Sequence, residues 1–457
     1  MGLETLIAFV IIAGIIFAGF FGEILFKRLG IPSVLLLFAV GYMLGPVMHQ
    51  VDTSTLQNID YIVGPLALII LLFEGGMDLN IYRLIHESGR GVLMAILVTV
   101  LSMLVTGAIW MALGYNFMMG MVLGAIVGGT TSSMVTSLAG GINVSEKAKQ
   151  CLVIESALTD VLTVIITIAL MGAIISGNAS VQGAGQEILG NFAIGAAIGG
   201  LFGLMWIAMS KMLRQVNFFY MLTVAILLFA YMVSEYFGGS GAISALVMGI
   251  MLGNYKEIGK MLRFKDVAED AELFEFQREV SFLVRTFYFV YMGSLIVIGG
   301  TTAFLFSLAI MAGLVAARWV SAQISTFRSD LSEYKSYINV MMPRGLATAV
   351  MSGYPALVLY ENRDAIASGA YGSLSSQAGM FVEISFFVII ISVILTAIGM
   401  FVLKRMEITD KGNEAPEEKG AKKGGKEAER EAGKRKQEAG GGGEPETGGK
   451  PEAEEEG

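Results

Sequence analysis

The 457 residues contain a single cysteine, Cys151, and two histidines, His49 and His86. One cysteine excludes a disulfide framework and a cysteine-ligated metal site. The histidines form no HExxH pattern, which removes most histidine-based chemistry. No GxxxxGK[ST] run is present, so ATP is not the energy source. The largest deficit is in charge. Only 15% of residues are charged and 54% are hydrophobic, against about 25% and 45–50% in a soluble domain. The deficit is also uneven. Glu407 to Gly457 carries 25 charged residues in 51, which leaves 45 in the first 406, about 11%. With a mean hydropathy of +0.67, such a body cannot cover itself with polar surface in water. Its solvent is a bilayer, and a soluble enzyme is excluded.

A helix needs about 20 mostly apolar residues to cross the hydrocarbon. Thirteen windows qualify: 5–26, 32–49, 60–79, 91–113, 117–140, 148–176, 187–210, 218–237, 241–255, 276–298, 302–320, 336–360 and 378–403. They are continuously apolar and not alternating, which predicts helices and not a barrel. Met1–Phe26 lacks a basic leader and a small-residue cleavage site, and reads as a retained first span. Alternate loops hold Lys27/Arg28, Arg83/Arg90, Lys147/Lys149, Lys211/Arg214, Lys256/Lys260/Arg263/Lys265, Arg328/Lys335 and Lys404/Arg405; the other set holds only Arg363. The positive-inside rule then predicts an outside N-terminus and a cytoplasmic C-terminus, which an odd span count satisfies. The expected organisation is a multi-pass membrane domain over 1–405 and a disordered cytoplasmic tail over 406–457, rich in Gly, Glu and Lys and poor in apolar residues. Mixed charge in the tail gives no case for nucleic acid.

Ionisable groups inside a bilayer are costly and mark function. Four arginines lie in or near spans. Arg318, near a predicted helix end, is expected to snorkel; Arg278 lies near the start of its span; Arg285 and Arg344 lie deeper. The acids in or near spans are Glu74, Glu155, Asp160, Glu235 and Glu383, with Glu74 and Glu235 close to span ends. In the sixth span Ser156 and Asp160 are four apart and share a helix face, flanked by Thr159 and Thr163. Glu155 points elsewhere, so one carboxylate can serve an ion while the other pairs structurally. The fifth span contains Gly128-Gly129-Thr130-Thr131-Ser132-Ser133, a run expected to unwind where it is buried or lines a cavity. The twelfth has a matching interruption at Pro343-Arg344-Gly345. If spans 1–6 and 8–13 are two inverted six-helix repeats, these are corresponding members, and paired broken helices of that kind point to a secondary-transporter site.

The chain resembles the NhaP-type sodium/proton antiporters of the monovalent cation–proton antiporter superfamily. The resemblance covers about residues 5–405. It rests on Phe73-Glu74-Gly75-Gly76, Gly129-Thr130-Thr131, Glu155-Ser156-x-x-Thr159-Asp160, Arg344-Gly345 and Arg285 with the segment that follows it to Gly293. It implies an all-α polytopic fold with crossing broken helices in spans 5 and 12, a core domain moving against a dimerisation domain, and a homodimer. It implies that Asp160 carries cation or proton, that Ser156 supplies a hydroxyl and the unwound Thr130 a carbonyl, and that Glu74 adds negative charge. Glu155 would be the ion-pair partner of Arg344, or else of Arg285. The family usually has Asn where Thr159 stands and Asp where Thr131 stands. Both positions bear on the choice of ion.

The expected activity is electroneutral exchange of Na+ or Li+ for H+, with no cofactor. K+/H+ exchange is the near alternative. A cation channel would need a continuous path, often about a subunit axis. An intramembrane protease would need a nucleophile–base pair or paired aspartates.

Overall fold

The structure is a computed structural model that describes residues 3–29, 33–48, 53–79, 89–140, 144–175, 181–213, 219–261, 271–294, 301–363, 366 and 368–438. All regular elements among these residues are helical. His49, His86, Arg83, Arg214, Arg263 and Lys265 lie outside the described residues.

In chain order the helices are α1 (Leu3–Leu29), α2 (Ser33–Tyr42, continued by a π-turn to Val47), α3 (Thr53–Asp78), α4 (Gly89–Ala112), α5 (Phe117–Gly128), α6 (Ser132–Gly140), α7 (Glu146–Ile175) and α8 (Val181–Leu213). They continue with α9 (Phe219–Tyr236), α10 (Gly241–Gly253), α11 (Tyr255–Met261), α12 (Ala271–Ser294), α13 (Thr301–Ser325), α14 (Lys335–Val340), α15 (Leu346–Glu361) and α16 (Ser368–Glu438). Each apolar window read from the sequence coincides with one helix, or in two cases with a helix broken in the middle. Five of the described helices alone have the length and apolar content to cross a membrane, among them α4, α7 and α13.

Two compact units divide the chain at residue 400. The first, Met1–Met400, is the helical body. The second, Phe401–Gly457, contains the charged tail. Side chains after Met406 lie outside the described residues, and so does the question of the tail's expected disorder.

The body is built for an apolar solvent. Phe9, Val10 and Phe17 on α1, Leu201 on α8 and Phe304, Leu305 and Leu308 on α13 are exposed. Ser102, Thr106, Thr130, Glu155, Ser156, Thr159, Arg318 and Arg344 are buried. Without a hydrophobic drive between helices, close backbone approach stabilises such a bundle. Gly249 of α10 shows this: a Cβ there would run into the carbonyl of Phe73 on α3. α3 also packs on α7 and α15, and α7 on α4 and α5, which gathers the broken helices around α7.

Candidate cation site

The two expected interruptions are present. α5 ends at Gly128, residues 129–131 have no regular structure, and α6 resumes at Ser132. α14 ends at Val340, residues 341–345 have no regular structure, and α15 starts at Leu346. The unwound segments cross. The N–H of Thr131 donates to the carbonyl of Pro343 at 2.9 Å, and a Cβ on Gly345 would come within 2.7 Å of the Thr131 side chain. The Thr348 hydroxyl donates to the carbonyl of Ile126 at 2.9 Å, satisfying one orphan acceptor at the end of α5. The Arg344 N–H donates to Ser392 Oγ at 3.0 Å.

On one side of the crossing, Asp160 of α7 sits at the start of α6. Its Oδ2 accepts from the N–H of Ser132 at 3.0 Å and from Ser132 Oγ at 2.9 Å. The carboxylate therefore caps the positive end of a half-helix. No hydrogen bond to Oδ1 is found among the described residues. Asp160 borders a cavity with about 80 Å³ of water-holding space, shared with Glu74, Asp78, Thr131, Ser132 and Arg285 and otherwise walled by apolar side chains such as Leu68 and Val350. Glu74 lies 3.7 Å from Arg285, and both are partly exposed to the cavity.

On the other side, Glu155 is fully buried. Its Oε1 accepts from Arg318 Nη1 at 2.8 Å and from Thr130 Oγ1 at 3.0 Å. Arg318 also donates through Nε and Nη2 to the carbonyl of Ile338, at 3.1 and 3.0 Å, and through Nη2 to Met341 at 2.6 Å. It thus covers the negative end of α14 with a fixed cation. Two expectations are corrected here. Glu155 pairs with Arg318, not with Arg344 or Arg285. Arg318 does not snorkel, because α13 runs on to Ser325, past the expected end of its span, and this places the guanidinium inside the bundle with 1% exposure. Arg344 is also fully buried, and its guanidinium nitrogens have no hydrogen-bond partner among the described residues.

The cavity therefore brings together Asp160, Thr131, Glu74 and Arg285 of the expected residues. Ser156, Thr130 and Thr159 are not on its wall. Ser156 Oγ donates to the carbonyl of Val153 at 3.0 Å. Thr159 Oγ1 accepts from the N–H of Thr130 at 3.1 Å and donates to the Thr130 and Ser156 carbonyls, at 3.3 and 3.1 Å. The Thr130 carbonyl thus already holds a hydroxyl donor. The shared face of Ser156 and Asp160 in helical projection does not place both in one space. Sequence reasoning missed Asp78 and Ser132 as cavity residues. Asp78 is four residues after Glu74 and so on the same helix face; Ser132 is the first residue after the unwound run, where a cap is expected. Glu235 instead accepts from the N–H of Gly241 at 2.7 Å, at the start of α10, and Glu383 is half-buried away from this cavity.

Residues 12–405 match the family described as sodium/hydrogen exchanger, transmembrane. The chain belongs to that family. The chain is 28% identical over 258 residues to the K(+)/H(+) antiporter NhaP of Alkalimonas amylolytica, a match covering 55% of this chain and 45% of that protein. It is 24% identical over 401 residues to the Na(+)/H(+) antiporter 1 of Methanocaldococcus jannaschii, covering 83% of this chain and 91% of the relative. The chain thus spans about half the length of the first of these relatives and nearly all of the second. The solved structure of the sodium proton antiporter MjNhaP1 from M. jannaschii at pH 8 aligns with a TM-score of 0.72 and 22% identity, over 88% of this chain and 99% of that one. The fold is therefore that of an NhaP-type antiporter.

Proposed function

We propose that the exchanger swaps a monovalent cation, Na+ or Li+, for H+ by alternating access, and that Asp160 carries whichever of the two is bound. The observation that carries this reading is the position of Asp160. It is a carboxylate with one oxygen held by Ser132 and the other without a hydrogen-bond partner among the described residues, on the wall of a water-sized cavity beside two crossing broken helices. A proton or a cation can occupy that side, and each excludes the other. Thr131 and Glu74 supply further oxygens at the cavity wall, while Ser156, Thr130 and Thr159 set the backbone behind it.

Glu155 is committed to Arg318 and Glu74 faces Arg285; of the two other carboxylates, Asp78 and Asp160, both on the cavity wall, Asp160 is the one at the crossing of the broken helices, and with it as the one titrating carrier the exchange is one for one, without net charge movement. The protein works without a cofactor and not as an enzyme. It is a homodimer in the cell membrane, with thirteen spans, the N-terminus outside and the tail in the cytoplasm.

Potassium is the second reading. Relatives named K(+)/H(+) antiporters match at 28–29% identity, and this chain has Thr131 and Thr159 where the resemblance expects Asp and Asn. Proton flux in proteoliposomes, driven separately by Na+, Li+ and K+, decides between them. A response to K+ alone overturns the sodium assignment. Imposing a potential of about 100 mV, worth about 2.3 kcal/mol per net charge, should leave the equilibrium cation gradient unmoved.

A further inference from the structure

α12 carries a polar row that the site does not use. Gln277 and Ser281 are 2% and 0% exposed. Among the described residues, neither the amide oxygen and nitrogen of Gln277 nor the hydroxyl of Ser281 has a hydrogen-bond partner, and the row continues to Arg285, whose Nε is likewise unpartnered there. These residues are spaced by four and follow one helix face, about 6 Å apart along the axis.

That face turns inward. Phe282 and Thr286 lie against Gly19 of α1, so the α1 side of α12 is accounted for. Tyr288 is seven residues after Ser281, within about 20° of it around the axis, and its hydroxyl donates to the carbonyl of Val350 at 3.5 Å. Val350 is on the wall of the Asp160 cavity, as is Arg285. The row thus leads from the start of α12 to the cavity.

Leaving three uncharged polar atoms dry in an apolar interior is costly, and the cost recurs for as long as the face stays closed. An amide that lacks both a donor for its oxygen and an acceptor for its nitrogen is suited to water, which supplies both; a cation would satisfy only the oxygen. We propose that Gln277 and Ser281 form the wetted wall of the path by which a hydrated monovalent cation reaches the Asp160 cavity, and that the structure holds this wall closed. The wall bears no charge, so it supports hydration without trapping the ion. This rests on the exchange reading, but wetting can be tested without transport.

The near absence of cysteine makes the test direct. In a Cys151→Ser background, Gln277→Cys and Ser281→Cys are exposed in proteoliposomes to a cationic, membrane-impermeant thiol reagent. Both should react at least roughly tenfold faster than Leu283→Cys on the 45% exposed outer face of the same helix, where a lipid-facing thiol stays unionised. Labelling should speed up when a cation gradient cycles the protein. If both stay as inert as Leu283→Cys under every gradient while Asp78→Cys at the cavity reacts, the proposal is wrong. Gln277→Leu and Ser281→Ala give a second arm that does not depend on the cysteine variants folding. Removing a dry polar group should leave the melting temperature equal or higher, while exchange slows by roughly tenfold, the value of one buried polar group. A lower melting temperature with unchanged exchange would make both residues structural. A parent protein without exchange, but with labelled Gln277→Cys, would overturn the transport reading and leave the wetted wall standing.

Discussion

Asp160 and Glu155 stand five residues apart on one helix, and their surroundings are opposite. Glu155 is sealed, with Arg318 and Thr130 on its Oε1. Asp160 shares one oxygen with Ser132 and borders a cavity that water can occupy. The helix period separates them around the axis, and the crossing of the broken helices lies between them. A buried carboxylate with a fixed cationic partner has its charge already neutralised. One held only by neutral donors keeps its charge available. Partner type, more than depth in the membrane, therefore separates the sealed acid from the one proposed to carry the ion.

The largest expected effect comes from removing the available charge. Asp160→Asn keeps the shape and leaves Ser132 an oxygen to donate to; cation-driven proton flux should fall to background while the purified protein keeps its melting temperature. Exchange at the parent rate would erase the distinction between the two acids. Next is the sealed side. Glu155→Gln or Arg318→Met each strands a buried charge and should cost about 3–5 kcal/mol, whereas the double variant should recover much of that loss. Thermal unfolding in detergent measures it, and a double variant as unstable as the sum of the singles would mean that the pair is not coupled. A smaller effect is expected at the crossing between them. Gly345→Ala pushes a methyl group into Thr131, whose nearest atom would be 2.7 Å away, and overpacking of this kind costs about 1–3 kcal/mol. Exchange should slow along with the fall in melting temperature.

The smallest effect lies outside the bundle. Lys147 bonds to Asp330 at 3.0 Å, with both side chains exposed. The hydrogen bond from Lys147, then its charge, hold the Asp330 carboxyl below the usual carboxylate range. A lowered pKa means that its stabilisation is present above the ordinary carboxylate pKa and fades as pH falls through the lowered one. An exposed pair contributes little and is screened by salt, so Asp330→Asn should barely move the melting temperature at neutral pH.

Much of this was legible in the chain. Helix windows follow from apolar runs. Both breaks follow from glycine, hydroxyl residues and proline where a helix should continue, and Asp160 follows from its depth in a span. The partner of Glu155 was not legible. Arg318 reaches it across 163 positions of sequence, and a window ending at 320 made the residue look terminal. Nor did a shared face in projection reveal that the Ser156 hydroxyl bonds to its own helix. Projection gives direction around an axis; it does not say which neighbour fills the space there.

The bond from the Thr131 N–H to the Pro343 carbonyl belongs to the main chain at both ends. Any residue except proline can make it at position 131, and no side-chain change at position 343 removes its acceptor. The frame of the crossing is thus uncoupled from the chemistry displayed at 131. A carboxylate, a hydroxyl or an amide can be tried there while the two broken helices stay stitched. Ion preference in such a scaffold is open to stepwise change, because a mutation that alters the ligand need not first survive the loss of the architecture that presents it.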